Sequence, residues 1–214
     1  MALPRPPPDG GFSFTWTSSV APLHKSMKEL LSTRTLIAHM ATGALVFSRA
    51  TGTDRVLIIQ RAAHDSMALL WEIPGGACDA EDQTLLHGLA RELWEETGLR
   101  LKTVVRQVGP ENTFFTRSGR VVSKVTFEVE VEGAGGGGGD DERLPEVTLD
   151  PNEHVRFLWA TEDECRLGKV IVPGDGGEQE AVVDIEFTGK AQKAAILLGF
   201  RLRREASQEG STQE

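Results

Sequence analysis

The stretch from Leu85 to Gly98 constrains this chain most. Leu85, Leu86, Leu89, Ala90 and Leu93 recur at helical spacing, and Gly98 follows where a helix C-cap glycine sits, so a helix is predicted from Leu85 to Trp94 and onward to that glycine. On such a helix Glu92, Glu95 and Glu96 stand at i, i+3 and i+4, which projects three carboxylates from one face within a single turn. Like-charge pairs at these spacings cost about a few tenths of a kcal/mol each. They also sit in the last turn, where the macrodipole disfavours anions. A hard divalent cation removes both penalties, because carboxylate oxygens are the ligands that Mg²⁺ or Mn²⁺ prefers. A solvated acidic face is the other reading of clustered glutamates. The preceding segment, Trp71-Glu72-Ile73-Pro74-Gly75-Gly76-Ala77, favours the metal, since a Pro-Gly-Gly turn after a strand can bring backbone carbonyls close to the helix.

Around this helix the pattern is that of a mixed sheet. Leu36 to Phe47 and Arg55 to Gln60 are rich in Val, Ile and Leu and are separated by Thr51-Gly52-Thr53-Asp54, which predicts two paired strands. Val121 to Val131 reads as a strand entered from Thr113-Phe114-Phe115 through a turn at Ser118-Gly119, and Val155 to Trp159 as a further short strand. Lys190 to Arg204 reads as a closing helix. The fold class expected is therefore α/β (α+β), a mixed central sheet with helices packed on it.

At 214 residues the chain suits a single domain, expected over residues 12–204. The Pro- and Gly-rich residues 1–11 are expected to form a flexible arm, and the polar residues 205–214 a disordered tail. Residues 133–142, mostly glycine followed by acids, are expected as a flexible loop inside the domain. The net charge of -9 argues against a protein that coats a nucleic acid polymer. No apolar run is long enough to span a bilayer and the opening lacks a secretory signal, so no membrane is expected and the cytosol, or the nucleus, is the expected compartment. The two cysteines, Cys78 and Cys165, have no zinc-ligand or disulfide spacing and are read as free thiols. The absence of Tyr excludes phenol chemistry.

Arg91-Glu92-Leu93-Trp94-Glu95-Glu96-Thr97-Gly98-Leu99 resembles the second half of the Nudix family's box in full. The first half departs from it. Counting back without a gap puts Ala77 and Gln83 at the family's Gly and Glu positions; anchoring on Gly76 puts Asp82 at the Glu position, beside Glu81, and leaves one extra residue before Arg91. The second alignment is preferred because Trp71 to Gly76 also looks like the family's approach to its box. The resemblance implies an α/β/α sandwich and a metal-dependent pyrophosphohydrolase. It implies that Gly76 offers its carbonyl, and Glu92, Glu95 and Glu96 their carboxylates, to Mg²⁺ or Mn²⁺, with Arg91 orienting the glutamates. Downstream, Asn152-Glu153-His154 is similar to a weaker family feature in which a glutamate supplies a further ligand or a base, so either Glu92 or Glu153 is the expected proton acceptor.

The expected partner is a small-molecule diphosphate, held in part by Arg61, Arg117, Arg120 and Lys124; solvated surface charge is the other reading of these residues. His64 and His154 lack partners suggesting a nucleophile triad, and Trp71, Trp94, Phe114 and Phe115 suit core packing as well as base stacking. Two other functions remain open from sequence: a Nudix-fold binding or regulatory module that has lost catalysis, and a hydrolase of an isoprenoid or inositol diphosphate. The low basic count disfavours inositol polyphosphates. The oligomeric state has no signature in the sequence.

Overall fold

Alternation along two central strands fixes the architecture. In the computed structural model, which describes residues 5–133, 143–172 and 181–211, β2 (His39–Ser48) sends Ala44 and Val46 to one side of the sheet and Leu45 and Phe47 to the other. β3 (Arg55–Arg61) does the same with Leu57 and Ile59 against Val56 and Ile58. A strand with two apolar faces must be covered on both, so two separate cores form. On one side lies the helix α2 (Leu85–Thr97), with Leu85, Leu86, Leu89 and Leu93 fully buried. On the other lies α4 (Lys190–Ser211), which contributes Ile196 and Phe200.

The remaining elements complete this frame. In chain order they are β1 (Thr15–Trp16), a 3-10 turn at Ser18–Leu23, α1 (Met27–Ser32), β4 (Trp71–Glu72), β5 (Leu101–Gln107), β6 (Asn112–Phe115), β7 (Val121–Val131), β8 (His154–Thr161), α3 (Glu162–Leu167), β9 (Lys169–Val172) and β10 (Ala181–Asp184). The main sheet runs β1-β5-β7-β2-β3-β4, with β6 also on β7 and β8 also on β3, and β9 and β10 form a separate antiparallel pair. The sheet is mixed: β1–β5 and β2–β7 are parallel and the other pairs antiparallel. The α/β expectation is met.

The expected pairing of the first two long strands is much shorter than their lengths allow. β2 and β3 share only Phe47↔Val56 and Ser48↔Arg55 before they diverge, β2 toward β7 and β3 toward β8. The edge of β2 that β3 leaves is taken by the segment after β4. Thr42 N–H donates to the Gly76 carbonyl at 2.9 Å, Ala44 N–H to the Pro74 carbonyl at 2.8 Å, and Cys78 N–H to the Met40 carbonyl at 3.0 Å. Leu36, expected inside the first strand, lies before it and is 83% exposed. The closing helix runs on to Ser211, into the stretch expected to be tail.

Residues 5–11, expected as a flexible arm, lie against the C-terminal end of α2, where the Arg5 side chain donates to the Trp94 carbonyl at 3.1 Å and to the Thr148 carbonyl at 2.7 Å. The Gly-rich loop expected at 133–142 falls, from residue 134, outside the described residues. Among the described residues no helix is long and apolar enough to cross a membrane, and Cys78 and Cys165 are free and buried.

Candidate metal and phosphate site

The Pro-Gly-Gly turn is built to approach α2 closely. Gly75 has φ +133, which L side chains rarely adopt, and a Cβ there would fall on the Thr42 carbonyl oxygen. A Cβ on Gly76 would stand 2.5 Å from Glu92 Oε2. The two glycines let the turn lie directly against the carboxylates of the helix. Gly75 N–H donates to Glu96 Oε2 at 2.6 Å, which fixes that side chain from the turn side. The Gly76 carbonyl, expected to face a metal, already accepts from Thr42 N–H and has one lone pair left.

Arg91 organises the helix side. Its Nε and Nη2 hold Asp82 in a two-pronged contact, both at 3.0 Å, while Nη1 donates to Glu92 Oε1 and Glu95 Oε2, both at 2.9 Å, and Nη2 also reaches the Ala77 carbonyl at 2.9 Å. The loop acid facing Arg91 is therefore Asp82, in accord with the alignment anchored on Gly76; Glu81 and Gln83 are exposed. Asp82 also accepts from Asp79 N–H at 2.8 Å.

Beneath this layer lies a buried network whose members the sequence had not joined. Glu72, on β4, accepts from His154 Nε2 at 3.2 Å and from the Arg61 guanidinium, and His154 Nε2 is 3.9 Å from Glu96 Oε1. The geometry comes from an irregularity in β8, where the register slips so that Gln60 faces Arg156 while Arg61 faces His154. His154 is only 2% exposed, and its Nδ1 has no hydrogen-bond partner. Glu153, next to it, is exposed at the rim. Glu96, Glu153 and His154 each offer an atom within 4.8 Å of the others.

The electrostatics are those of an acidic cluster short of cations. Burial, reinforced by Glu95 and Glu153 and opposed by Arg91, pushes Glu92 up to about 7. Burial together with the charges of Glu92, Glu72 and Glu153 raises Glu96 well above the usual carboxylate range, and Glu95 is raised mainly by burial. Glu72 goes the other way. Burial works against its ionised form, but His154, Arg61 and Lys124 outweigh it and keep the carboxyl below its ordinary value. These donors fit a hard divalent ion: carboxylate oxygens converge, and the glycine positions leave no side chain in the way.

The structure brings Gly76, Arg91, Glu92, Glu95, Glu96 and Glu153 together. It separates the expected phosphate cations. Lys124 on β7 packs over Gly43 beside the site and borders a cavity of about 270 Å³ between β6, β7 and the first turns of α4, with Glu111, Asn112, Thr126, Gln192 and Leu198 also in its wall. Arg61 is taken up by Glu72, Asp65 and the Ser66 carbonyl, so its guanidinium serves the buried network. Arg117 and Arg120 lie on the exposed β6–β7 turn, where Arg120 meets His39 Nε2 at 3.1 Å. The hint that sequence reasoning missed was a charge, Glu72, within the apolar run that leads to Pro74.

Known proteins resemble this chain in sequence and in fold. The family model of the NUDIX domain matches residues 38–175. A MutT-like protein of Streptomyces ambofaciens is 42% identical over 64 residues, which cover 30% of this chain and 37% of the relative, so the chain spans little more than a third of that protein's length. Among solved structures, a NUDIX hydrolase from Nitrosomonas europaea superposes with a TM-score of 0.51 at 17% identity over 76% of this chain and 88% of that one. The NUDIX domain of Shewanella oneidensis NrtR, solved with ADP ribose, gives 0.53 at 16% identity over 82% of this chain and 97% of that one. At these identities the likeness is one of fold.

Proposed function

This chain belongs to the Nudix family, and on that footing we propose that it is a metal-dependent pyrophosphohydrolase acting on a diphosphate linkage in a nucleoside diphosphate derivative. The observation that carries the reading is the imbalance of charge around Arg91: one guanidinium serves Asp82, Glu92 and Glu95, while Glu96 and Glu153 converge beside it. Burial makes ionising this set costly without added cations, and Mg²⁺ or Mn²⁺ supplies them. When bound, such ions neutralise diphosphate oxygens and lower the pKa of a water.

The chain's own residues do the rest. Glu92, Glu95, Glu96 and the Gly76 carbonyl hold the ions, and Arg91 keeps Glu92 and Glu95 in one orientation. Glu92 or Glu153 accepts the proton of the attacking water; both border the cluster, one from the helix and one from the rim. Lys124, which packs over Gly43 and favours the ionised form of Glu72, is the cation assigned to a phosphate oxygen. The cavity beside it is lined mostly by apolar groups, among them Val108, Pro110, Ala194 and Leu198, with the polar side chains of Glu111, Asn112 and Gln192 between them, which suits a flat apolar face edged with hydrogen-bonding groups, as a nucleobase has.

The test is phosphate and nucleotide release from ADP-ribose, diadenosine tetraphosphate, nucleoside triphosphates, an isoprenoid diphosphate and an inositol pyrophosphate, with Mg²⁺ and with Mn²⁺. Hydrolysis of a nucleoside compound is the expected result. Binding of these compounds without hydrolysis of any, across neutral to alkaline pH, would establish the binding-module reading in its place.

A further inference from the structure

The family match begins at residue 38, yet α2 is gripped at both ends by residues before it. At its start the Lys25 carbonyl accepts Leu85 N–H at 2.9 Å, Phe14 packs edge-on against His87 with ring centroids 5.1 Å apart, and His24, stacked on Trp16, lies 6.0 Å from His87. At its end Arg5 bridges the Trp94 and Thr148 carbonyls and lies over the Trp94 ring at 5.3 Å, Trp94 Nε1 donates to the Pro6 carbonyl at 2.8 Å, and Arg100 reaches the Asp9 carbonyl. The last turn of α2 contains no basic residue of its own. It does contain Glu95 and Glu96, the charges a helix C-terminus tolerates least. Arg5 supplies the missing cation from elsewhere in the chain and shares the Trp94 carbonyl with Gly98 N–H, the cap of the helix.

We propose that the segment from Arg5 to Lys25 is a clamp on the metal-site helix and that Arg5 is a positioning residue, holding the turn that carries Glu95 and Glu96 in the geometry a divalent ion requires. The metal half of this proposal rests on the function proposed above; the clamp itself does not. Two effects of Arg5 on metal binding have opposite signs. Its charge repels a cation, whereas its hold on the helix backbone orients the ligands, and the clamp reading requires the second to dominate. By linkage, an ion that prefers the clamped helix also tightens the clamp by the same factor.

The experiment uses the full chain, wild type and with Arg5→Ala or Arg5→Lys. In metal-free protein, Arg5→Ala should speed hydrogen exchange of the Gly98 amide about tenfold, with global unfolding little changed. In Mn²⁺ titrations it should weaken binding about fivefold. Arg5→Lys keeps the charge but replaces the two-nitrogen fork, one nitrogen on each carbonyl, with a single ammonium on a shorter stem, so it should resemble Arg5→Ala more than wild type. Unchanged Gly98 exchange overturns the clamp. Mn²⁺ binding that is unchanged or tighter in Arg5→Ala, or fully retained in Arg5→Lys, overturns the positioning role. If wild type itself binds no Mn²⁺, the metal reading fails, while the exchange measurement still decides the clamp.

Discussion

Glu96 is the most constrained of the carboxylates, buried at 5% exposure, anchored on Gly75 N–H and surrounded by Glu92, Glu72 and Glu153. Glu96→Gln removes a buried acid whose ionisation its surroundings oppose, along with a ligand, so the metal-free protein should keep its melting temperature or gain slightly, while the rise expected from Mn²⁺ in wild type should be absent in a thermal melt. The same crowding sets a pH dependence. Glu92 has an ordinary value of 4.5 and is raised to about 7, so between those values the unfolded chain loses a proton that the folded chain keeps. Its stabilising contribution is complete below about 4.5 and is lost as pH rises through about 7. Glu72 acts in the opposite sense, contributing above its ordinary value and losing that contribution as pH falls. Metal-free protein should therefore melt lower at pH 8 than at pH 6, and Mg²⁺ should flatten the difference; a metal-free melt that rises over this interval would count against the buried-acid account. Glu92→Gln and Glu153→Gln distinguish the proton acceptor, since the variant that loses about 10²-fold in turnover while keeping Mn²⁺ affinity marks the base.

At the scale of elements, the turn before α2 is as demanding as the helix. Gly75→Ala forces a side chain into a positive-φ position against the Thr42 carbonyl and should cost about 2–4 kcal/mol in urea unfolding. Gly52, at φ +80 with open space around it, is the control, where alanine should cost about 1 kcal/mol. The same contrast shows why some elements were legible in sequence and others were not. α2 announced itself through apolar spacing and Gly98, and the box glutamates through their crowding on one face. α1 and α3 were missed although their capping boxes, Ser26 with Glu29 and Thr161 with Glu164, are present in the letters, because six-residue helices have too few turns to show a period. β5 was missed because Lys102, Arg106 and Gln107 interrupt its apolar run, and its order comes from β7 and β1 on either side. His154 and Glu72 could not be paired from sequence, since only the slipped register of β8 brings them together. Asp82 was legible as a position and not as a contact, since only the folded loop shows its carboxylate on the Arg91 guanidinium.

At the scale of the molecule, both cores hang on the same strands. Leu89→Ala under α2 and Ile58→Ala under α4 each remove a fully buried side chain and should each cost about 2–5 kcal/mol. Because β2 and β3 serve both cores, each variant should shift one calorimetric transition as a whole; two separate transitions would show the cores to be independent. The same sharing reaches the site. Pro74, Gly76 and Cys78 are bonded to β2 in the place that β3 vacates, so the turn that lies against Glu92 and Glu96 is part of the sheet. A loop of this kind cannot swing aside without unzipping an edge of the core. The site is an anvil and not a jaw: whatever opens and closes around a ligand must be supplied from the rim, and the bed beneath should superpose unchanged whether the protein is empty or loaded.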